Sequence, residues 1–162
     1  MRKVCDFLES IKDILNPDIM LDFITSSQNY DKLIFKENSD GSEIKKLNID
    51  HIPKNSIAFT LDYCSNSQHF PQLSQYLNPV NANGINKSCD IVIIVCESDN
   101  YDVFLFDLKS RSVKPKKCHL QLNNSEIFLN YYSQINSYYN RNNTFYSTYL
   151  WYRKYICKSY GS

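Results

Sequence analysis

Three charged side chains lie at the ends of two neighbouring apolar runs in the middle of the chain. Asp90 begins the run 90–96, and Asp107 and Lys109 end the run 103–109. Two carboxylates and an ammonium group beside apolar segments are costly to bury unless a metal or another partner compensates them. These residue types therefore predict a divalent-metal site with a lysine beside it.

The two runs are joined by the short segment 98–102, which contains Asp and Asn, and this pattern predicts an antiparallel hairpin. Paired residues should have numbers that sum to about 197 to 199, so Asp90 lies opposite Asp107 or Lys109. In both registers the three side chains share one face, because side chains alternate along a strand. In the alternative interpretation, Asp107 and Lys109 form a solvated strand edge and Asp90 caps a strand. We favour the metal site because runs that are apolar on both faces belong in the middle of a sheet.

An Asp at the head of one strand, a hairpin, and then Asp-x-Lys near the end of the next strand resemble the core of the PD-(D/E)XK nuclease superfamily. The resemblance is confined to the hairpin, and Cys89 stands where the proline that names the family would be. It implies a single restriction-endonuclease-like α/β (α+β) domain over residues 1–162. Its central mixed or antiparallel sheet would be flanked by helices, with core elements in the order αβββαβ.

The resemblance also implies roles for the charged residues. Asp90 and Asp107 would bind Mg²⁺ or Mn²⁺, together with the carbonyl of Leu108, because these hard ions prefer oxygen ligands. Lys109 would position the attacking water. A metal in this place acidifies water and neutralises charge that grows on a scissile phosphate.

Three further residues are candidates for the same site. Gln121 lies near the start of the helix after Asp-x-Lys, where several branches of the superfamily carry a Gln or Lys that points into the active site; the alternative is a surface glutamine. Glu9 of the first helix is a candidate acidic ligand, since it lies outside the apolar stripe of that helix. Asp62, near the end of a preceding strand, competes with Glu9 for this role.

A basic connector follows Lys109 directly. It spans residues 110–117, and its cations are Arg111, Lys114, Lys116 and Lys117. These side chains would hold phosphates that flank the cleaved bond, although such a charged run also fits a solvated loop. The polar stretch 65–88 is a second candidate surface for a substrate or partner.

The composition is that of one ordinary globular domain. The 162 residues carry a net charge of +1, which argues against a generally basic nucleic-acid binder and requires a local basic patch instead. We expect neither a signal peptide nor a membrane span. The six cysteines lack a Cys-x-x-Cys pair, which indicates reduced, mostly buried thiols in the cytoplasm and disfavours a zinc site.

The remaining pattern predicts elements around the hairpin. An amphipathic helix spans 4–15, a second short helix spans 19–24, and a long helix runs from about residue 120 to 140. Strands are predicted at 32–36, 44–49 and 56–62, and an aromatic strand at 144–156.

The resemblance therefore implies a metal-dependent nuclease, a hydrolase that acts on DNA in preference to RNA. By analogy, a small cytoplasmic endonuclease of this kind resembles bacterial restriction or anti-phage (antiviral defence) effectors. It would act as a homodimer or with a partner protein, and without a membrane. One alternative is a nuclease-like fold that binds nucleic acid or regulates a partner without catalysis. Another is an unrelated α/β interaction protein with an accidental triad.

Overall fold

The computed structural model describes residues 4–36, 44, 46–64, 69–70, 73–74, 76, 84–97, 100–109, 114–139 and 150–158. A 3₁₀ turn at Pro17–Ile19 follows the first helix. In chain order the helices and strands are α1 (Val4–Ile14), β1 (Phe23–Thr25), β2 (Tyr30–Lys36), β3 (Lys46–Pro53), β4 (Ser56–Phe59), β5 (Tyr63–Cys64), β6 (His69–Phe70), β7 (Ile91–Glu97), β8 (Asn100–Lys109), α2 (Pro115–Tyr139) and β9 (Leu150–Lys158).

The main sheet has four strands in the order β4-β7-β8-β9. Strands β7 and β8 form the predicted antiparallel hairpin, with Ile91 opposite Phe106 and Glu97 opposite Asn100. Strand β4 pairs antiparallel with β7. Strand β9 pairs parallel with β8, so the chain must cross over between them, and α2 makes this connection. The sheet is therefore mixed, with three antiparallel strands and one parallel addition.

Both helices cover one face of the main sheet. In α1, Phe7, Leu8 and Ile11 are buried at helical spacing. They pack in one core with α2 and with alternate residues of the sheet strands, among them Phe59, Val92, Val103, Leu105 and Leu122. Alternate residues of β7 and β8 therefore point towards the helices.

A second, three-stranded antiparallel sheet, β1-β2-β3, covers the other face of the main sheet. Leu33 and Ile52 of this sheet pack against Ile91 and Ile93 of β7. Residues 91–96 are all buried as a result. This explains why the run is apolar without alternation, since both of its faces are covered.

The mixed α+β class is confirmed, as is the order helix, three strands, helix, strand for the elements of the main sheet and its helices. The predicted helix at 19–24 is wrong, because the β-prone segment Phe23–Thr25 pairs with β2 as a strand. The long helix begins earlier than predicted, at Pro115, a residue suited to the first helical position. Much of the predicted irregular stretch 65–88 and the first part of the predicted strand 144–156 lie outside the described residues.

No helix within the described part of the chain is both long enough and apolar enough to cross a membrane.

The packing of β8 against the helices predicts a large effect of truncating Leu105, which is fully buried two residues before Asp107. Leu105→Ala should lower the free energy of unfolding by about 2 to 5 kcal/mol, because it loses buried apolar surface and leaves a cavity. Ile127→Ala is the matched control on α2, where the side chain is 69% exposed, and it should change the value by less than about 0.5 kcal/mol. Urea unfolding measures both, and equal effects would contradict this account of the core.

Candidate active site

Asp90 and Asp107 lie at the same end of the β7–β8 hairpin. The Asp90 N–H donates to the Phe106 carbonyl at 3.0 Å, and Phe106 is also the partner of Ile91, so Asp90 lies at the last pair of the ladder, next to Asp107. Asp107 lies two residues after Leu105, whose side chain faces the helices, and the Asp90 carboxylate is close enough to Asp107 and Lys109 to feel their charges. Asp107 and Lys109 therefore lie on the face covered by α2, and Asp90 lies near them.

The Asp107 carboxylate is completely buried. Lys109 Nζ donates to Asp107 Oδ1 at 2.5 Å, whereas Oδ2 of the same carboxylate accepts no hydrogen bond from the described residues. The Cys118 thiol at the start of α2 also interacts with this carboxylate. Since a buried carboxylate oxygen without a partner is costly, Asp107 has one oxygen suited to a further ligand.

The Asp90 carboxylate is held by the next strand. Its Oδ2 accepts from the Leu108 N–H at 2.5 Å. Burial raises the pKa of Asp90 to about 7, and the neighbouring Asp107 and Asp62 carboxylates also raise it, against the opposing effects of the Leu108 N–H and Lys109. The site therefore concentrates negative charge where solvent does not stabilise it.

Lys109 remains an ammonium group in this environment. Burial lowers its pKa, but the hydrogen bond and charge of Asp107, with the charge of Asp90, outweigh that effect and raise the pKa overall. A lysine that holds its proton this firmly is suited to orienting a water or a phosphate oxygen and unsuited to acting as a base. The water-positioning role predicted for Lys109 fits this chemistry.

The two candidates for a further acidic ligand differ in their surroundings. Glu9 lies on the exposed side of α1, where its carboxylate pairs with Lys12 at 2.8 Å. Asp62, just beyond β4, is close enough for its charge to raise the pKa of Asp90. The described contacts bring Asp62 to the site and do not connect Glu9 with it, so Asp62 is the better candidate.

Helix α2 holds the segment before Asp90 through three side chains. Gln121 Nε2 donates to the Ser88 carbonyl at 3.1 Å, and the Cys89 N–H donates to Ser125 Oγ at 2.8 Å. Asn124 Nδ2 donates to the carbonyls of Gly84 and Lys87, each at 3.0 Å. We call residues 84–89 the docked segment. Sequence reasoning missed Asn124 and Ser125, although polar residues on the inward side of an amphipathic helix are a signal for such contacts.

Gln121 lies close to Lys109, and its predicted role in the active site stays a prediction. It lines a polar cleft of about 310 Å³, here called the lysine cleft, whose walls are formed by Lys87, Lys109, Lys114, Lys117, Cys118 and Gln121. The Oε1 atom of Gln121 is buried and has no hydrogen-bond partner among the described residues. The side-chain carbonyl is thus available to a water or another donor.

The lysine cleft partly matches the predicted basic connector. Lys114 and Lys117 line it, whereas Lys116 does not, and Arg111 lies outside the described residues. Lys116 and Lys117 belong to the first turn of α2 rather than to a loop, which corrects the predicted extent of the connector. Lys87, in the docked segment, was not predicted to be a site residue. The only sequence signal for such a role is its position three residues before Asp90.

The residues present suit a hard divalent cation. Within the described ranges, no three His, Cys, Asp or Glu side chains form a ready-made metal site. The half-buried Asp90 carboxylate and Oδ2 of the fully buried Asp107 nevertheless supply oxygen ligands, and Mg²⁺ commonly takes one or two carboxylates and completes its shell with water and phosphate. Participation of the Leu108 carbonyl stays a prediction.

Comparison of the chain with protein-family models, with curated proteins and with solved structures found no match.

The raised pKa of Asp90 predicts a pH-dependent cost of folding in metal-free protein. Above pH 7 the folded state holds an ionised, buried Asp90, and as the pH falls towards the ordinary value of 3.8 the carboxyl is protonated in the fold and this cost disappears. Asp90→Asn should therefore be more stable than wild type at pH 8, by at most roughly 4 kcal/mol, and the difference should shrink as the pH falls to 5.

Urea unfolding in EDTA across this pH range measures the effect. Asp13→Asn, on the exposed side of α1, is the control for the loss of one carboxylate and should change the stability only slightly. A stability difference for Asp90→Asn that stays constant from pH 8 to pH 5 would contradict the raised pKa.

Proposed function

We propose that this protein is a metal-dependent phosphodiesterase that cleaves nucleic acid, with DNA as the preferred substrate. The observation that carries the proposal is the hairpin end, where the half-buried Asp90 lies near the fully buried Asp107 and Lys109 contacts Asp107 beside a cleft lined by lysines. Carboxylates that bind a hard cation, next to ammonium groups that bind phosphate, are the groups that phosphodiester hydrolysis requires.

Each residue has a separate task in this proposal. Asp90 and Asp107 hold Mg²⁺ or Mn²⁺, with Asp62 nearby to add negative charge. The bound metal supplies an acidified water and neutralises charge on the phosphate. Lys109 keeps its proton and orients the water or a phosphate oxygen, and Gln121 Oε1 accepts a hydrogen bond from the same water. The other lysines of the cleft bind the phosphates of the substrate.

The preference for DNA and a bacterial defence role rest on the resemblance of the motif and on analogy. A cytoplasmic location is consistent with the buried free thiols of Cys89, Cys96 and Cys118, since reduced cysteines persist in that compartment.

Binding without catalysis is the second candidate function. The observation that favours it is the direct contact of Lys109 with Asp107 Oδ1, which satisfies one ligand oxygen with an ammonium group. In that case the lysine cleft would bind nucleic acid while Asp107 and Lys109 stabilise the end of the sheet as an ion pair.

Cleavage assays on labelled oligonucleotides and plasmid test the proposal. Wild-type protein should cleave with Mg²⁺ or Mn²⁺, lose activity in EDTA and recover it when metal is restored. Asp107→Asn and Lys109→Gln should each lower kcat at least about 100-fold, because each removes a group that acts on the reacting atoms. Asp13→Asn and Lys46→Gln, exposed on α1 and β3, are the charge-matched controls and should keep wild-type activity.

Two outcomes would contradict the proposal. Cleavage by folded Asp107→Asn at the wild-type rate would remove the carboxylate from the mechanism. Tight binding of nucleic acid by wild-type protein, without cleavage in either metal, would favour the binding function instead. Circular dichroism of each variant shows whether it is folded before its activity is interpreted.

A further inference from the structure

The lysine cleft has a charge that its own residues do not balance. Four lysines line it, and none of the other lining residues is acidic. Lys109 is neutralised by Asp107, which leaves the ammonium groups of Lys87, Lys114 and Lys117. Within the described residues none of these three is paired with a carboxylate. The cleft therefore carries about three positive charges within a small volume, which favours a multiply charged anion.

Helix α2 adds to this field. It is 25 residues long and begins at Pro115, between Lys114 and Lys117. The first N–H groups of a helix carry partial positive charge and bind anions readily. The helix terminus supports the inference only because the lysines of two other segments, Lys87 and Lys109, lie on the same cleft.

The size and charge of the cleft favour a phosphate monoester. An internal phosphodiester carries one negative charge, whereas a terminal phosphate carries about −1.5 to −2 at pH 7. A volume of about 310 Å³ is at the lower end of ligand pockets and suits a phosphate with its attached sugar.

We propose that the lysine cleft binds the terminal phosphate monoester of a nucleic-acid strand and so selects substrates with a phosphorylated end. This proposal rests on the proposed function for the substrate class, but binding to the cleft does not require the metal. The bound end is held beside Asp107 and Lys109, so the cleaved bond lies close to that end. Lys87 and Lys117, on opposite segments, are the residues that recognise the second negative charge.

Asn124 is the positioning residue for this recognition. Its side-chain amide holds the carbonyls of Gly84 and Lys87, and Gly84 has a backbone φ of +62°, which favours glycine. Without this amide the docked segment loses two hydrogen bonds, one at Gly84 and one at Lys87, the residue that bears the cleft lysine. The Asn124 side chain therefore acts on the phosphate through Lys87.

Binding of fluorescent single-stranded oligonucleotides in EDTA tests the proposal apart from catalysis. The same sequence is compared with a 5′-phosphate, with a 3′-phosphate and with hydroxyl groups at both ends. One phosphorylated end should bind at least about 10-fold more tightly than the hydroxyl form, since it gains charge-assisted hydrogen bonds. Lys87→Gln and Lys117→Gln should each reduce this ratio to below about 3-fold, and Asn124→Ala should reduce it in the same way.

Two control variants separate recognition of the phosphorylated end from the general electrostatic attraction of the oligonucleotide. Lys116→Gln removes a charge next to Lys117 that does not line the cleft, so it should weaken all three oligonucleotides equally and keep the ratio. Lys46→Gln on β3 should change neither the three affinities nor the ratio between them. Loss of the ratio in Lys116→Gln to the same extent as in Lys117→Gln would overturn the assignment to the cleft.

Competition with small phosphates identifies the source of the bound group. Inorganic phosphate and adenosine monophosphate should compete weakly, and only against the phosphorylated oligonucleotide. If these compounds bind with an affinity that depends on Lys87 while a phosphorylated end gives no advantage, the ligand is a free phosphate monoester and the strand-end proposal is overturned. Equal affinity for all three ends without such competition overturns it as well. Neither result would bear on the separate proposal that cleavage depends on Asp107.

Discussion

The contact between the Asp107 carboxylate and the Lys109 ammonium group is the interaction on which the hairpin end depends. Asp107 is fully buried, and Lys109 neutralises only one of its oxygens. A buried carboxylate with one unsatisfied oxygen costs free energy, and an apolar pair of similar volume would fill this place at lower cost. The charges therefore lower the stability of the hairpin end, and the proposed function gives them a role. The same cost extends to Asp90, whose pKa is raised chiefly by burial.

The rest of the fold provides the environment that makes these charges costly. Two helices cover one face of the main sheet, and a second sheet covers the other. Strand β7 is buried on both faces, so Asp90 follows directly from the interior of the protein. At the end of the hairpin that carries Asp107 and Lys109, the lysine cleft lies beside Lys109. A low-dielectric surrounding strengthens each charge interaction at this end, both the repulsion between carboxylates and the attraction for a cation or phosphate.

Local pattern was sufficient to predict the hairpin, its register to within two residues, and the proximity of the three charged residues. Turn length and the period of two along a strand determine these features within about twenty residues. Contacts between segments distant in sequence could not be predicted from local pattern. The hydrogen bonds from Asn124 and Ser125 to the docked segment join residues 36 to 40 positions apart, and the approach of Asp62 to Asp90 depends on the pairing of β4 with β7. The strand at Phe23–Thr25 was mistaken for a helix because tertiary pairing outweighs the weak preference of a three-residue segment.

The docked segment is attached to the molecule through α2 side chains on its side of the cleft, whereas Asp107 and Lys109 belong to the main sheet. Lys87 is therefore placed by α2, whereas Asp90 is placed by both supports, because it follows Cys89 of the docked segment directly and its N–H bonds to Phe106 of β8. The spacing between the lysine cleft and the carboxylates is thus determined by how α2 packs on the sheet.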